Sequence, residues 1–390
     1  MAKNPDKKSS EKKNTDKKPG AKSAAVEQAD AAPFSYCEMK PSAPPAIASG
    51  IAGLRLESII MLANKWANGT VLQYYFFTDA KKDGQSVVLP NGTKEWRTWV
   101  ADDAQRKIVR DAFTKWKGLG IGLAFAETTD RSEAEIRIGF MQGDGSWSYV
   151  GTDILKQKRD ARTMNFGWDL RQQADTALHE IGHTLGLPHE HQNPNAGIVW
   201  NEEIVYAELA AAPNKWPRDK TFHNIIRKIQ PDTVQGSSWD PDSIMHYPFK
   251  AKLIKAPPPY EVRGISPPGG LSPRDVSWIK TYYPDGADQL RKLLAGQSQA
   301  LNVADGQQAD FEFSPAATRK YKIQTFGTCD TLIALFEDVG GVWRYVGADD
   351  DSGEDRNAFL ETQLRQGRRY AIRVRLKFSA GSDSPSVMVW

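Results

Sequence analysis

The sequence predicts an α+β protein in two parts: a mixed sheet carrying one histidine-bearing helix, then a small all-β sandwich. Three observations predict it. Between residues 53 and 285 strand-like alternation and helical spacing follow one another irregularly. Residues 179–191 read HEIGHTLGLPHEH, which gathers four of the six histidines in thirteen residues, with His179 and His183 at helical spacing. After residue 300, alternating apolar runs separated by turn residues recur at short intervals.

The elements can be taken in chain order. Residues 1–32 are rich in Lys, Asp, Ser and Ala, and residues 6–20 repeat DKKSS, EKKNT, DKKPG. With so little apolar surface to offset chain entropy, this tail is expected to be disordered, either a solubilising tail or an export address. Residues 33–52 form a proline-rich linker or pro-segment, in which Phe34, Tyr36 and Cys37 suggest a docked portion. A helical pattern starts at Leu54, and a buried strand around Val71, Tyr74, Tyr75, Phe76 and Phe77 follows an Asn-Gly turn. Asp102 or Asp103 can cap a helix through Ile108, Val109, Ala112, Phe113 and Trp116 that ends at Gly118 and Gly120. AEIRIGF and TMNFGW read as strands, and residues 172–185 return to helix. Residues 286–300 look like a short helical connector. KYKIQTF, TLIALFE, WRYVGA, YAIRVRL and SVMVW then supply five strands for a sandwich over residues 301–390.

Composition narrows the function classes. A net charge of +3 from 51 basic and 48 acidic residues gives no field that would argue for nucleic acid. No apolar stretch approaches the roughly 20 residues of a membrane helix. Cys37 and Cys329 are the only cysteines and no CxxC pair exists, which excludes a disulfide framework and a cysteine-rich zinc finger. The first 30 residues lack the apolar core of a Sec signal peptide, so the expectation is a leaderless or specialised export route rather than a purely cytoplasmic protein.

The chemistry resides in the histidine run. His179 and His183 are four residues apart, so on a helix both imidazoles project toward one point. Gly186 can end that helix in the left-handed region and turn the chain back, bringing His189 to the same point. Three neutral imidazoles suit one zinc ion per chain, with a position left for a water whose pKa the metal lowers to about 7. Glu180, beside the first ligand, can accept that water's proton. His191, two residues beyond His189, faces elsewhere.

HExxHxxGxxH is the signature of the metzincin metalloproteases, and SIMHY at 243–247 resembles their methionine turn. SIMHY, Glu190 after the third histidine, and GSWSYVG at 145–151 make the chain similar to the astacin family over roughly residues 54–285. The resemblance implies a zinc metalloendopeptidase in which His179, His183 and His189 bind zinc, Glu180 is the general base and Met245 packs beneath the metal. It also implies that Tyr247 is a candidate fifth zinc ligand at rest and the hydrogen-bond donor to the oxyanion in catalysis. Trp147, Ser148 and Tyr149 would form the edge strand that pairs with protein or peptide substrates, with the enzyme acting as a monomer.

Departures from the family pattern are also visible. Ser146 and Arg171 stand at two of the expected cysteine positions, and HEHQNPN replaces the usual continuation after the glutamate. Cys37 is a candidate pro-segment zinc latch, a free cysteine, or a partner of Cys329. Lys250, Lys252, Lys255 and Arg263 follow the methionine turn. If one points inward it would favour acidic side chains in the substrate; otherwise they form a solvated face.

Residues 301–390, with DTLIALFE and the acidic DDDSGED loop, resemble the bacterial pre-peptidase C-terminal domain. Asp349, Asp350, Asp351 and Asp355 are candidate calcium ligands or a solvated turn. The competing function class is a non-catalytic binding or adhesion protein that uses this sandwich on a vestigial protease scaffold.

Overall fold

Val71–Phe76 forms a strand whose Leu72, Tyr74 and Phe76 alternate inward, as a half-buried strand should. In the computed structural model the described residues are 35–40, 64–66, 68–229, 238–284, 290–340, 342–379 and 384–390. The expected tail over 1–32 and the helical pattern from Leu54 lie outside them.

The first half is built on β1 (Glu38–Met39), β2 (Val71–Phe76), the hairpin β3 (Gly84–Val88) and β4 (Lys94–Thr98), and α1 (Asp103–Lys117). It continues with β5 (Ala124–Glu127), β6 (Ile136–Gly139), β7 (Trp147–Ser148), β8 (Met164–Asn165) and α2 (Asp175–Thr184). Six of these strands make one sheet in the order β1-β7-β8-β6-β2-β5. Every neighbouring pair is parallel except β7 with β8, so the sheet is mixed. Of the two capping candidates Asp102 is the cap: its side chain accepts the Gln105 N–H at 2.9 Å, an interaction worth about 1 kcal/mol. Val109, Ala112, Phe113 and Trp116 of α1 pack with Ala177, Leu178 and Ile181 of α2 in one core cluster. The hairpin β3–β4, with exposed Trp96, has no counterpart in the sequence reading.

Beyond α2 the chain adds β9 (Val199–Trp200), α3 (Glu202–Ala210), β10 (Ile254–Ala256) and α4 (Pro273–Tyr282). A second core cluster forms here from Trp200, Trp216, Ile225, Tyr247, Phe249 and Ile265, and Tyr36 and Cys37 belong to it. α4 begins with a capping box: Ser272 accepts the Asp275 N–H and Asp275 accepts the Ser272 N–H, each at 2.9 Å.

The remainder is all β: β11 (Arg291–Lys292), β12 (Gln299–Ala300), β13 (Gln308–Phe313), β14 (Arg319–Phe326), β15 (Cys329–Val339), β16 (Val342–Asp349), β17 (Phe359–Leu364), β18 (Tyr370–Ser379) and β19 (Ser386–Val389). Two sheets, β11-β13-β18-β15-β16 and β12-β19-β14-β17, enclose their own apolar core. The helical connector expected over 286–300 is corrected: its described part carries β11 and β12. Leu293 is buried in the sandwich core and Arg291 lies in register with Phe311, so long-range pairing overrides the local helical preference. β13 and β17 also have no counterpart in the sequence reading, because polar residues alternate through both.

The two halves touch through the segment preceding β2. Asn68 N–H donates to Gln308 Oε1 at 2.5 Å, and Arg375 Nη1 donates to Trp66 O at 3.5 Å. Trp66 Nε1 in turn donates to Thr184 O at the end of α2, at 2.7 Å. Among the described residues no helix is long and apolar enough to cross a membrane.

Candidate active site

α2 ends as the glycine predicts. Gly186 has φ +89°, its N–H donates to His183 O at 2.8 Å, and Leu187 N–H donates to Gly182 O at 3.0 Å, which together form a Schellman termination. The reversal carries His189 back to the helix. The ring centroids of His179, His183 and His189 lie 4.6–5.4 Å apart, and each offers a ring nitrogen within 4.8 Å of the others. His179 Nδ1 bonds Ile244 O and His183 Nδ1 bonds Leu187 O, both at 2.8 Å, which turns the Nε2 atoms toward the shared point. His183 Nε2 and His189 Nε2 are 3.0 Å apart there.

Burial keeps the imidazoles neutral: it lowers His179 to about 4, and His183 and His189 well below their ordinary value. Among the described residues His179 Nε2 is buried without a hydrogen-bond partner, and the Glu180 carboxylate has the Cys37 thiol beside it. Orphaned polar atoms of this kind are costly unless something binds them. Three neutral imidazoles facing one point fit a divalent metal, and the triad can hold one.

Glu180 is fully buried beside the triad, and its carboxyl is pushed up to about 8 by burial. Met245 lies under the helix at Gly182. A Cβ at that position would collide with Met245 Sδ, so the glycine is what lets the methionine turn approach. Ser243 Oγ donates to Asp275 Oδ1 at 2.6 Å and Ile244 N–H to Asp275 Oδ2 at 2.8 Å, fixing that turn to α4. Glu190 joins the third histidine to the same turn through its N–H, which donates to Met245 O at 2.9 Å. Its carboxylate accepts from Asn193 Nδ2 and Asp240 N, each at 3.0 Å.

Tyr247 Oη lies 2.5 Å from His189 Nε2 and 2.7 Å from Cys37 O. Burial pushes its phenol well above the ordinary value. Cys37 also reaches the site: its thiol, a His179 nitrogen and a Glu180 oxygen lie within 4.8 Å of one another. The thiol is pushed up by burial and by the neighbouring Glu180. β1, directly after Cys37, runs parallel along β7 with Glu38 opposite Trp147 and Met39 opposite Ser148. Tyr149 extends the pairing on the other side of β7, its N–H donating to Thr163 O ahead of β8 at 3.1 Å.

Other sequence candidates fall away from the centre. His191 is buried but turns its Nε2 to Asn224 O at 2.9 Å. Lys250 and Lys252 do not point inward: both pair with Glu208, at 3.0 and 2.6 Å, and Arg263 lies over the Tyr260 ring. Cys37 and Cys329 are both free, so their pairing is excluded. Ser146 and Arg171 make other contacts: Ser146 Oγ accepts the Gly167 N–H at 3.0 Å, and Arg171 pairs with Asp169 at 2.6 Å. In the sandwich, Asp330, Asp350 and Asp351 draw together rather than the four aspartates of the acidic loop. Asp349 instead accepts the Phe359 N–H at 2.8 Å. The tertiary partners Asn214, Trp216 and Asn224, which line the path of residues 36–39, carried no signal in the sequence.

The site is thus a triad able to hold a metal, with a buried carboxylate and a phenol at its side. Residues 97–255 match the family model for Astacin, a peptidase family, and that stretch is an astacin-family domain. Bone morphogenetic protein 1 of Xenopus laevis is 27% identical over 191 residues, which cover 46% of this chain and 24% of that protein. The chain thus spans about a quarter of the length of the curated relatives it matches. The structure of myroilysin is similar with a TM-score of 0.48 and 29% identity, covering 57% of this chain and 97% of myroilysin. The pre-peptidase C-terminal domain of a Bacillus anthracis collagenase gives a TM-score of 0.22 and 13% identity over 27% of this chain and 98% of that domain.

Proposed function

We propose that the chain is a zinc metalloendopeptidase, acting as a monomer on protein substrates and held closed by residues 36–39. The observation that carries this reading is the convergence of three buried imidazoles on one point, with the buried Glu180 carboxylate beside them. A zinc ion held by His179, His183 and His189 would polarise the substrate carbonyl and acidify a water.

The chain's own groups account for the rest. Glu180, buried beside the triad, accepts the proton of the attacking water and passes it to the leaving amine. Tyr247, kept protonated by its own raised pKa, donates its O–H to the developing oxyanion. At rest the same oxygen lies beside His189 Nε2, where a fifth ligand would stand. The exposed pairing edge of β7 receives the substrate strand once β1 leaves. A vestigial scaffold would have been free to lose Glu180 and Tyr247, and this chain keeps both beside the triad.

Zinc analysis with casein digestion by wild type and Glu180→Gln tests the mechanism. One zinc in each protein and digestion by wild type alone is the expected result; equal digestion by both removes Glu180 from it. Cys37 is proposed as the latch, its thiolate occupying the water position until displaced. Cys37→Ala then raises the initial activity of the full-length chain, and unchanged activity sinks the latch. Export by a leaderless or specialised route is the proposed localisation, to be checked by mass spectrometry of culture supernatant. The sandwich is proposed to serve secretion, substrate attachment or stability.

A further inference from the structure

We infer that the socket now filled by the Tyr36 side chain becomes, once residues 36–39 withdraw, the pocket that selects an aromatic substrate side chain next to the cut bond. The inference rests on the peptidase reading and adds to it the class of side chain recognised.

The socket already holds a ligand of that class. Tyr36 is 7% exposed; its ring stacks on Phe249 with centroids 5.6 Å apart and meets Tyr247 edge-on at 5.2 Å and Trp216 at 6.3 Å. Its hydroxyl donates to Pro248 O at 3.0 Å, and its backbone N–H donates to Asn214 Oδ1 at 2.9 Å. Flat walls at these spacings favour a ring over an aliphatic chain, and the carbonyl at the far end accepts a phenol.

Its place relative to the chemistry follows from the chain. Tyr36 adjoins Cys37, whose thiol reaches His179 and Glu180, so whatever side chain fills the socket belongs to a residue beside the group at the triad. Tyr247 is shared, with its ring a wall of the socket and its hydroxyl at the triad. The pocket is defined by side-chain walls rather than chain direction, so a peptide lying along β7 in the opposite sense to β1 can use it equally.

Charge argues against an acidic occupant. Glu208 lies close enough to raise the Tyr36 phenol's pKa further, after burial, and it already engages Lys250 and Lys252. An Asp or Glu entering here would meet that carboxylate with both of these lysines already paired.

Two measurements on the full, zinc-loaded chain decide the matter. In a peptide library with cut sites read by mass spectrometry, Tyr and Phe are expected at least about tenfold enriched at one of the two positions flanking the cut. Cleavage without aromatic enrichment there, or dominated by Asp and Glu, overturns the inference while leaving the peptidase reading intact. The second measurement needs no catalysis: Tyr36→Ala empties the socket, and N-acetylphenylalaninamide should bind this variant at least tenfold more tightly than wild type, with the aspartate analogue showing no such gain. Equal binding of the phenylalanine probe to both proteins, or to neither, overturns the socket. No cleavage in the library by wild type or by Cys37→Ala, together with socket binding, would instead remove the peptidase reading and with it the substrate role.

Discussion

Around residues 179–189 and around Lys377 the fold buries groups that call for a cation, and the two regions answer differently. At the triad three imidazoles converge beside the Glu180 carboxylate, and among the described residues His179 Nε2 has no hydrogen-bond partner. In the sandwich, Asp330 and Asp350 meet the ammonium of Lys377, which is 3.4 Å from Asp330 and closer still to Asp350. Burial works against the charge on Lys377, yet the two aspartates hold its pKa above the usual lysine value. The first region can take a cation from outside, and the second carries its own. A cluster of carboxylates is therefore a poor guide to a metal site until the nearest fixed cation is known.

The sharpest way to break the comparison is to remove a metal ligand. His183→Ala should reduce bound zinc from one per chain to near none and abolish casein digestion, read by metal analysis and assay; chelation of wild type should do the same reversibly. A variant that retained stoichiometric zinc would show that the triad is not the binding site.

Lys377→Met comes next. It strands the buried Asp330 carboxylate and the part-buried Asp350 one, and should lower stability by about 3 kcal/mol at pH 7, measured by denaturant unfolding. The loss should be smaller at pH 5, because Asp330, pushed up to about 6 by burial, is then largely protonated. Calcium should raise the melting temperature of this variant and leave that of wild type unchanged. A calcium response in wild type would show that Lys377 does not fill the site.

Tyr247→Phe sharpens the first region. Zinc content should persist while kcat falls about 10²-fold, the usual effect of losing one oxyanion donor. An equal fall in zinc content would make the phenol a structural ligand first.

A comparable effect concerns Glu135, a buried carboxylate that forms no ion pair among the described residues, although Arg159 and Arg137 lie near it. Its Oε2 accepts the Gln73 N–H at 2.8 Å, its Oε1 has no partner, and burial pushes it up to about 7. Because the folded value lies above the unfolded one, its contribution to stability is complete below about pH 4.5 and is lost as pH rises through 7. The difference is up to about 3 kcal/mol. Glu135→Gln should flatten the stability profile over that window, as read by unfolding at pH 5 and pH 8. An unchanged slope would mean that the group is already ionised in the fold.

How much of this was legible beforehand differs by region. α1 and α2 were readable because their apolar and histidine spacing is a local, periodic signal. β13, β17, β11 and β12 were not, because short strands with polar outer faces are fixed by partners far away in sequence. The acidic loop drew attention to Asp349, Asp350, Asp351 and Asp355; the cluster keeps Asp350 and Asp351 but adds Asp330 from the start of β15 and Lys377 from β18. Strand pairing brings those two together: Asp330 lies opposite Phe378 and Thr331 opposite Leu376, so the irregularity between them leaves Lys377 out of the ladder beside Asp330. The Lys-rich run after the methionine turn suggested an acid-selecting pocket, and Glu208, 42 residues upstream of Lys250, neutralises that reading.

By itself, the sequence determined the helix that presents His179 and His183 on one face, the glycine that turns His189 back, and the carboxylate beside them. Each of these follows from bond geometry over a few residues. Only the tertiary structure decided that Cys37 reaches the same centre from 142 residues earlier in the chain, that Tyr36 fills an aromatic socket, and that Lys377 neutralises the sandwich acids. Those contacts depend on how separate elements pack, and the balance of burial and charge that sets them exists only once the elements are brought together.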